Sequence, residues 1–301
     1  MQPKGLASYF FQFGLDPLMV RRAAEGFGIR FTCVGLLMFA CLAGCAKVPL
    51  QSGASLSSYD NLVSEKSLLA KAAIKADRDA LLSARTVRII PTGFTPTAAA
   101  MVEDPKDLRL VANAIDRSLC VSLSDRLQVV GSGQAADLTV RANVTVLVPT
   151  NAAAAALSTA TSLGTSVVLP VSVPRLPLGL GGLGVEAEAI GVDGKQKAAM
   201  VWARGANSIT EKPRMSKVGD AYSLASKFGN DFAALIVKGK SPFGGMPEIP
   251  SLQKMRSGLG GKAKYTACET FGRAPGVAGL VTGQLGMPPG WSDKGDATAR
   301  K

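Results

Sequence analysis

Polar and apolar residues alternate most regularly over positions 137–148, where Leu138, Val140, Ala142, Val144, Val146 and Val148 are spaced by Thr139, Arg141, Asn143 and Thr145. A period of two with one apolar face predicts a half-buried antiparallel strand. Shorter runs predict strands at 86–90 (TVRII), ended by Pro91 and Gly93, and at 127–130, closed by Gly131-Ser132-Gly133. Residues 183–192 and 197–206 read as a hairpin across Asp193-Gly194, a strong turn dipeptide. The helical period occurs in three places. Over 57–84, Ser58 is a candidate cap, and Leu62, Leu68, Leu69, Ala72 and Leu81 recur at roughly helical spacing among charged residues. The next helix has the clearest start: Asp104 as N-cap, Pro105 at the first position and Asp107 complementing the dipole. Leu108, Val111, Ile115 and Leu119 then line one face, with Cys120 beside them. A third helix follows Gly219-Asp220, with a broad stripe of Ala221, Leu224, Ala225, Phe228, Phe232, Leu235 and Ile236, and Gly239 as its stop. The order helix, strand, helix, four strands, helix predicts an α+β fold: a mainly antiparallel sheet with helices packed on one face.

Three segments fit neither period. Residues 46–56 (AKVPLQSGASL) read as a short tether. Residues 150–185 contain a single charged side chain, Arg175, among Ala, Ser, Thr, Leu, Val, Gly and Pro. From 241 to 301, Gly and Pro make up 18 of 61 residues. That composition offers little apolar surface to offset the entropy of ordering, so an extended or disordered tail is expected.

Residues 31–45 (FTCVGLLMFACLAGC) organise the remaining N-terminal stretch. Arg21, Arg22 and Arg30 lie ahead of this apolar run, and small residues end it, as in a secretory signal. The 16 positions between Arg30 and Lys47 fall short of the roughly 20 apolar residues a membrane span needs. Leu42-Ala43-Gly44-Cys45 resembles the lipobox of bacterial lipoproteins. That resemblance implies cleavage before Cys45, a diacylglycerol on its thiol and an acyl chain, such as palmitate, on its new amino group. Ala46, in place of the aspartate of inner-membrane retention signals, implies the outer membrane, with the protein facing the periplasm. Met19-Val-Arg-Arg would itself begin an ordinary signal, so residues 1–18 read as an upstream start. The expected organisation is a signal peptide at 1–44, a lipidated tether at 45–56, an α+β domain at 57–240 and the tail at 241–301.

Composition narrows the possible partners and chemistry. Taking the four basic and two acidic residues of 1–44 from the chain's 34 and 22 leaves 30 against 20, a basic remainder. In a cell envelope such charge meets lipid headgroups or peptidoglycan carboxylates rather than nucleic acid. Cys33 and Cys41 would leave with the signal and Cys45 would be acylated, so Cys120 and Cys268 remain as a disulfide candidate. Histidine is absent, which removes Ser-His-Asp and Cys-His nucleophile activation and His-ligated metal sites. No CxxC spacing exists to suggest zinc or thiol redox chemistry. No metal or cofactor is expected beyond the lipid on Cys45.

Three further features invite function. Gly179, Gly181 and Gly184 match G-x-G-x-x-G, but Pro-broken chain precedes them and a strand follows. Close backbone packing is therefore the better account than a dinucleotide loop. Glu186 and Glu188 share a strand face roughly 7 Å apart. Paired carboxylates there suit glycan hydrolysis; the plainer reading is a solvated polar face balanced by Arg141 or Arg204. Residues 150–185 read either as a loop packed across the sheet or as a membrane-inserting hairpin around Ser166-Val-Val-Leu, although Pro170, Pro174 and Pro177 interrupt it.

From Val173 onward, Val173-Pro-Arg-Leu-Pro-Leu-Gly-Leu-Gly-Gly-Leu, Val185-Glu-Ala-Glu-Ala, Ala198-Ala-Met-Val-Trp-Ala-Arg-Gly-Ala and Val218-Gly-Asp-Ala-Tyr resemble bacterial lipoproteins of the domain of unknown function 3313 family. The likeness extends to Tyr59-Asp60-Asn61-Leu62 and covers about 57–240. It implies an envelope lipoprotein and supplies no activity. In element order the domain also resembles small envelope modules such as the curli secretion lipoprotein and the N-terminal domain of TolB, a likeness of fold alone. Together these features predict a lipid-anchored, non-enzymatic binding or assembly module that meets an envelope protein or peptidoglycan. The alternatives are a secretion or pore subunit using 150–185, and a cell-wall glycan enzyme.

Overall fold

The computed structural model describes residues 46–67, 69–166, 175–244, 249–293 and 295. The signal segment and Leu42, Ala43, Gly44 and Cys45 lie outside the described residues, as does Leu68. In chain order the elements are β1 (Val63–Lys66), β2 (Lys71–Ala76), α1 (Arg78–Ser83), β3 (Thr86–Ile89), β4 (Gly93–Phe94), α2 (Pro96–Ala99) and α3 (Pro105–Leu123). There follow β5 (Gln128–Val130), β6 (Leu138–Val148), α4 (Ala152–Ser166), β7 (Gly182–Gly191), β8 (Gln196–Gly205), α5 (Gly219–Lys238), α6 (Leu252–Gly258) and α7 (Gly276–Gln284). Short 3-10 turns at Thr266–Phe271 and Pro289–Trp291 flank α7.

The strands form a mixed sheet in the order β1-β2-β8-β7-β6-β3-β5, with β4 also pairing β6. Pairing is antiparallel from β1 through β6. It is parallel where β3 and β4 meet β6 and where β3 meets β5. The expectation of a mostly antiparallel α+β sheet with helices on one face holds. The strand over 138–148 is antiparallel along one edge only, and its register shifts between Val144 and Val146.

Alternation decides which residues face the helices. Val87, Val140, Val144, Val185, Ala187, Met200 and Trp202 are buried in one core with Ile115, Leu119, Leu224, Phe228 and Phe232. The α3 start is as read: Asp104 accepts from the Lys106 amide at 2.8 Å, and Pro105 opens the helix. At the other end of α5, Gly239 takes the left-handed conformation (φ 62°) and donates to the Leu235 carbonyl. The two long helices approach closely at Gly229, where an added Cβ would fall 2.7 Å from the Ser118 side chain. Below them the Trp202 ring meets Phe228 edge-on at 5.7 Å. Its indole N–H donates to Asp231, so the largest core side chain is apolar in body and satisfied at its polar tip.

Three expectations are corrected. Residues 57–84 are not one helix: β1 and β2 lie within the stretch, and only Arg78–Ser83 is helical, capped by Asp77. Lys71-Ala-Ala-Ile-Lys-Ala has good helix formers, but pairing with β8 prevails and places Ala72 and Ile74 in the core. The tether over 46–56 is not a loose spacer; it lies along the outer face of the sheet, as detailed below. The tail beyond 241 is not wholly extended, since α6, α7 and both 3-10 turns fall within it. It is ordered by tie points rather than by composition. A disulfide joins Cys120 to Cys268, and Phe271 is buried in the core. Arg117 of α3 reaches Asp293 at 2.5 Å and the Phe271 carbonyl at 3.3 Å.

On α3, Asp116 is buried and accepts from the Thr92 amide and hydroxyl. Burial pushes its carboxyl up to about 7, against the opposing hydrogen bonds from Thr92 and the charge of Arg117. Between 3.8, its ordinary value, and about 7 the folded state therefore holds a proton that the unfolded chain has released. Stability contributed at this site declines as pH rises through that window. Asp116→Asn is expected to flatten this slope in urea unfolding series at successive pH values. Cys268→Ser is expected to lower stability by about 2–5 kcal/mol. In limited proteolysis it should expose the segment after 241 to cleavage while the sheet stays intact.

Candidate functional site

The outer face of the sheet carries the first candidate. Glu186 and Glu188 do share one face of β7, as read, but neither is exposed and that face is not solvated. Residues 46–59 run over it as a strap. Its first described residue, Ala46, donates its N–H to the Ala206 carbonyl at 3.1 Å. Val48 is buried against Gly182, where a Cβ would come within 2.2 Å of its methyl group. Glu186 accepts four hydrogen bonds from the strap: the Gly53 amide (2.7 Å), the Ser55 amide (3.1 Å), the Ser55 hydroxyl (2.6 Å) and the Tyr59 hydroxyl (2.7 Å). Ala54, between the two donating amides, has φ 55°, which turns the Gly53 and Ser55 N–H groups toward one acceptor, as in an anion-binding nest.

Glu188 accepts from the Ser57 amide (2.9 Å) and hydroxyl (2.6 Å) and from Gln196 (2.8 Å), and it pairs with Arg141. Burial alone would raise the Glu188 carboxyl, but the hydrogen bonds from Ser57, Gln196 and Arg141 outweigh it and hold it below the usual glutamate value. Arg141 is thus one of the two expected counter-charges. Arg204 is not: it pairs with Glu211 at 2.8 Å. Leu56 seals this layer against Ala199 and Val201, with Tyr59, Leu62 and Ala73 around it. Every carboxyl oxygen here is occupied, and the strap covers both groups. The pair acts as an internal clamp.

The stretch 150–185 resolves into parts. Ala152–Ser166 is helix α4, and 167–174 lie outside the described residues. Ala155, Ser158 and Thr159 are buried against the body, so the first turns of α4 are committed to packing. Arg175, the one charge of the stretch, is buried in a two-pronged pair with Asp220 near the start of α5 (2.5 and 3.1 Å). Asp220 also accepts from the Gly181 amide at 2.7 Å. The glycines of the G-x-G-x-x-G match serve close packing: a Cβ at Gly181 would meet Thr150 at 2.6 Å, and β7 follows directly. Among the described residues no cluster of His, Cys, Asp or Glu has metal-holding geometry. No described helix is long and apolar enough to cross a membrane.

The second candidate is a cleft of about 410 Å³ between α3, α5 and the C-terminal segment. Sequence reading missed it, because its outer wall is the segment expected to be disordered. Arg117, Arg214 and Arg273 line it, with Ser122 and Asn230 on the floor and Cys268 in the wall. The volume lies within the range of small-molecule sites.

A mixed sheet with two long helices on one face, a clamped strap on the other and a disulfide-tied C-terminal segment defines a small α+β module with an open cleft. Residues 51–232 match the family described as "Protein of unknown function (DUF3313)", and the chain belongs to that family. The match begins inside the strap, a few residues earlier than expected. No curated protein matches the chain. Among solved structures, two crystal forms of the PelC dodecamer from Paraburkholderia phytofirmans are similar at 11% identity. One covers 56% of this chain and 98% of PelC with a TM-score of 0.34. The other covers 57% and 100% with a TM-score of 0.36.

Glu188→Gln is expected to destabilise the strap by about 1–3 kcal/mol, because it weakens the pair with Arg141 and one set of donors. A depressed carboxyl contributes stability that is present above its unfolded value, 4.5, and lost as pH falls through the folded one. Protection of the Ser57 amide from hydrogen exchange, taken relative to its intrinsic rate at each pH, is therefore expected to fall on acidification below 4.5. In the Gln variant, Ser57 should exchange fast at every pH.

Proposed function

We propose that this chain is a lipid-anchored envelope module of the outer membrane, facing the periplasm, that binds a partner and does not transform it. The observation carrying the reading is the position of Ala46. It follows Cys45 of the lipobox-like Leu42-Ala43-Gly44-Cys45 directly and is hydrogen-bonded to the end of β8. A segment held to the sheet from the first residue after that cysteine suits an anchor that positions a domain beside a bilayer. Acyl chains stabilise attachment by about 0.8 kcal/mol per buried methylene, and several chains on one cysteine hold firmly where one holds only marginally. The cleft supports binding as the activity. The two glutamates that suggested glycan hydrolysis are covered by the strap, which weighs against a glycosidase centre there. The packed start of α4 weighs against bilayer insertion by that part of 150–185.

Labelled palmitate is expected to enter the intact protein in bacterial cells and to co-sediment with it in the outer-membrane fraction. Cys45→Ala is expected to lose the label and shift to uncleaved or soluble material. Mature wild-type protein that carries no acyl group would overturn the anchor. Crosslinking in intact cells, followed by pull-down on the lipidated form, should then recover an envelope protein or peptidoglycan.

A further inference from the structure

The cleft holds a cation that makes no ion pair with a carboxylate among the described residues. Arg117 is matched by Asp293, which also accepts from the Tyr222 hydroxyl at 2.7 Å. Arg273 is matched by Glu269 at 2.8 Å. Arg214, in contrast, has no carboxylate within ion-pair distance among the described residues; its guanidinium lies over the Tyr222 ring at 5.5 Å. It is held there from two sides by glycines. A Cβ on Gly219 would fall 2.8 Å from the Arg214 Cβ, and one on Gly283 would fall 2.7 Å from an Arg214 terminal nitrogen. Burial lowers the guanidinium's pKa while Tyr222 and Asp293 oppose the shift; an arginine side chain keeps its charge in proteins. A half-buried cation facing an open cleft attracts an oxyanion that enters.

The floor specifies the rest of the ligand. The Ser118 hydroxyl donates to the Ser226 carbonyl, Ser122 to the Asn230 side-chain oxygen, Ser223 to the Gly219 carbonyl and Ser226 to the Ser223 carbonyl. With their protons directed into the helices, these hydroxyls offer the cleft acceptor oxygens. Such a surface complements a molecule with several hydroxyl or amide donors. We infer that the cleft binds a small acidic saccharide, its carboxylate or phosphate on Arg214 and its hydroxyl and amide groups on the serine-lined floor. This rests on the reading of the chain as a binding module, but is independent of the anchor, so the experiment uses the domain irrespective of its lipid.

The test is titration of the oxidised protein, followed by NMR or calorimetry, with three probes: N-acetylmuramic acid, N-acetylglucosamine 6-phosphate and neutral N-acetylglucosamine. At least one acidic sugar is expected to bind ten-fold or more tightly than the neutral one, and added salt should weaken it. Preference for muramic acid marks a wall-derived ligand, and preference for the phosphate a sugar phosphate; either supports the assignment. Arg214→Gln should reduce affinity ten-fold or more at unchanged melting temperature, and Arg214→Lys should restore part of it. Equal binding of the neutral sugar, absence of binding by all three at millimolar concentration, or an unaltered affinity in a folded Arg214→Gln protein would each overturn the inference. Palmitate labelling of Cys45 is unaffected by any of these results, so failure here is distinguishable from failure of the anchor.

Discussion

Two carboxyl groups withdrawn from water on one face of a sheet are the constraint to which the N-terminal part of this molecule answers. A buried carboxylate costs several kcal/mol unless donors replace its hydration. Here most of the replacements come from residues 53–59. A segment of Gly, Ala and Ser has little apolar surface with which to order itself. It is ordered because its amides and hydroxyls are the solvent of Glu186 and Glu188. Leu56 and Tyr59 then add a modest apolar seal over Ala199 and Val201. The same strand thus has an oily face toward the helices and a hydrogen-bonded face toward the strap.

Buried ion pairs repeat this logic elsewhere. Arg175 with Asp220 pins the chain entering β7, Arg204 with Glu211 pins the turn leaving β8, and Arg117 with Asp293 pins the end of the C-terminal segment. Replacing such pairs by apolar residues is often neutral for stability, so their evident contribution is to geometry. Each fixes one irregular segment to one place on the regular core. The cleft exists because one of these ties, Arg117 with Asp293, together with the Cys120–Cys268 bond, holds a Gly- and Pro-rich segment away from α3 and α5 while closing its edges.

What was legible in the sequence was local. Alternation placed β6, the Asp193-Gly194 turn placed the β7–β8 hairpin, and the Asp104-Pro105 start and Gly239 stop bounded the long helices within a residue or two. Residues 71–76 were misread because their composition favours helix, whereas their state is set by β8, far along the chain. The tail was misread because single residues, Cys268, Phe271 and Asp293, order it against a composition that opposes order. Glu186 and Glu188 were placed on the correct face, but their cover was not foreseen. A signal existed: Gly53, Ser55 and Ser57 repeat with the same period of two as the glutamates they serve. Arg175 stood out as the lone charge of its stretch, yet nothing local pointed to Asp220.

The strap also imposes an order on folding. Residues 46–59 are made before every strand of the sheet, but the strands that receive them, β7 and β8, are made about 130 residues later. Until those strands pair, the two glutamates lack their donors and the early segment has nothing to lie on. Contacts of such long sequence separation carry the entropy of closing a large loop before they return any stabilisation. The segment ahead of the sheet is therefore among the last to find its place, and the outer face is closed by a stretch synthesised before any strand.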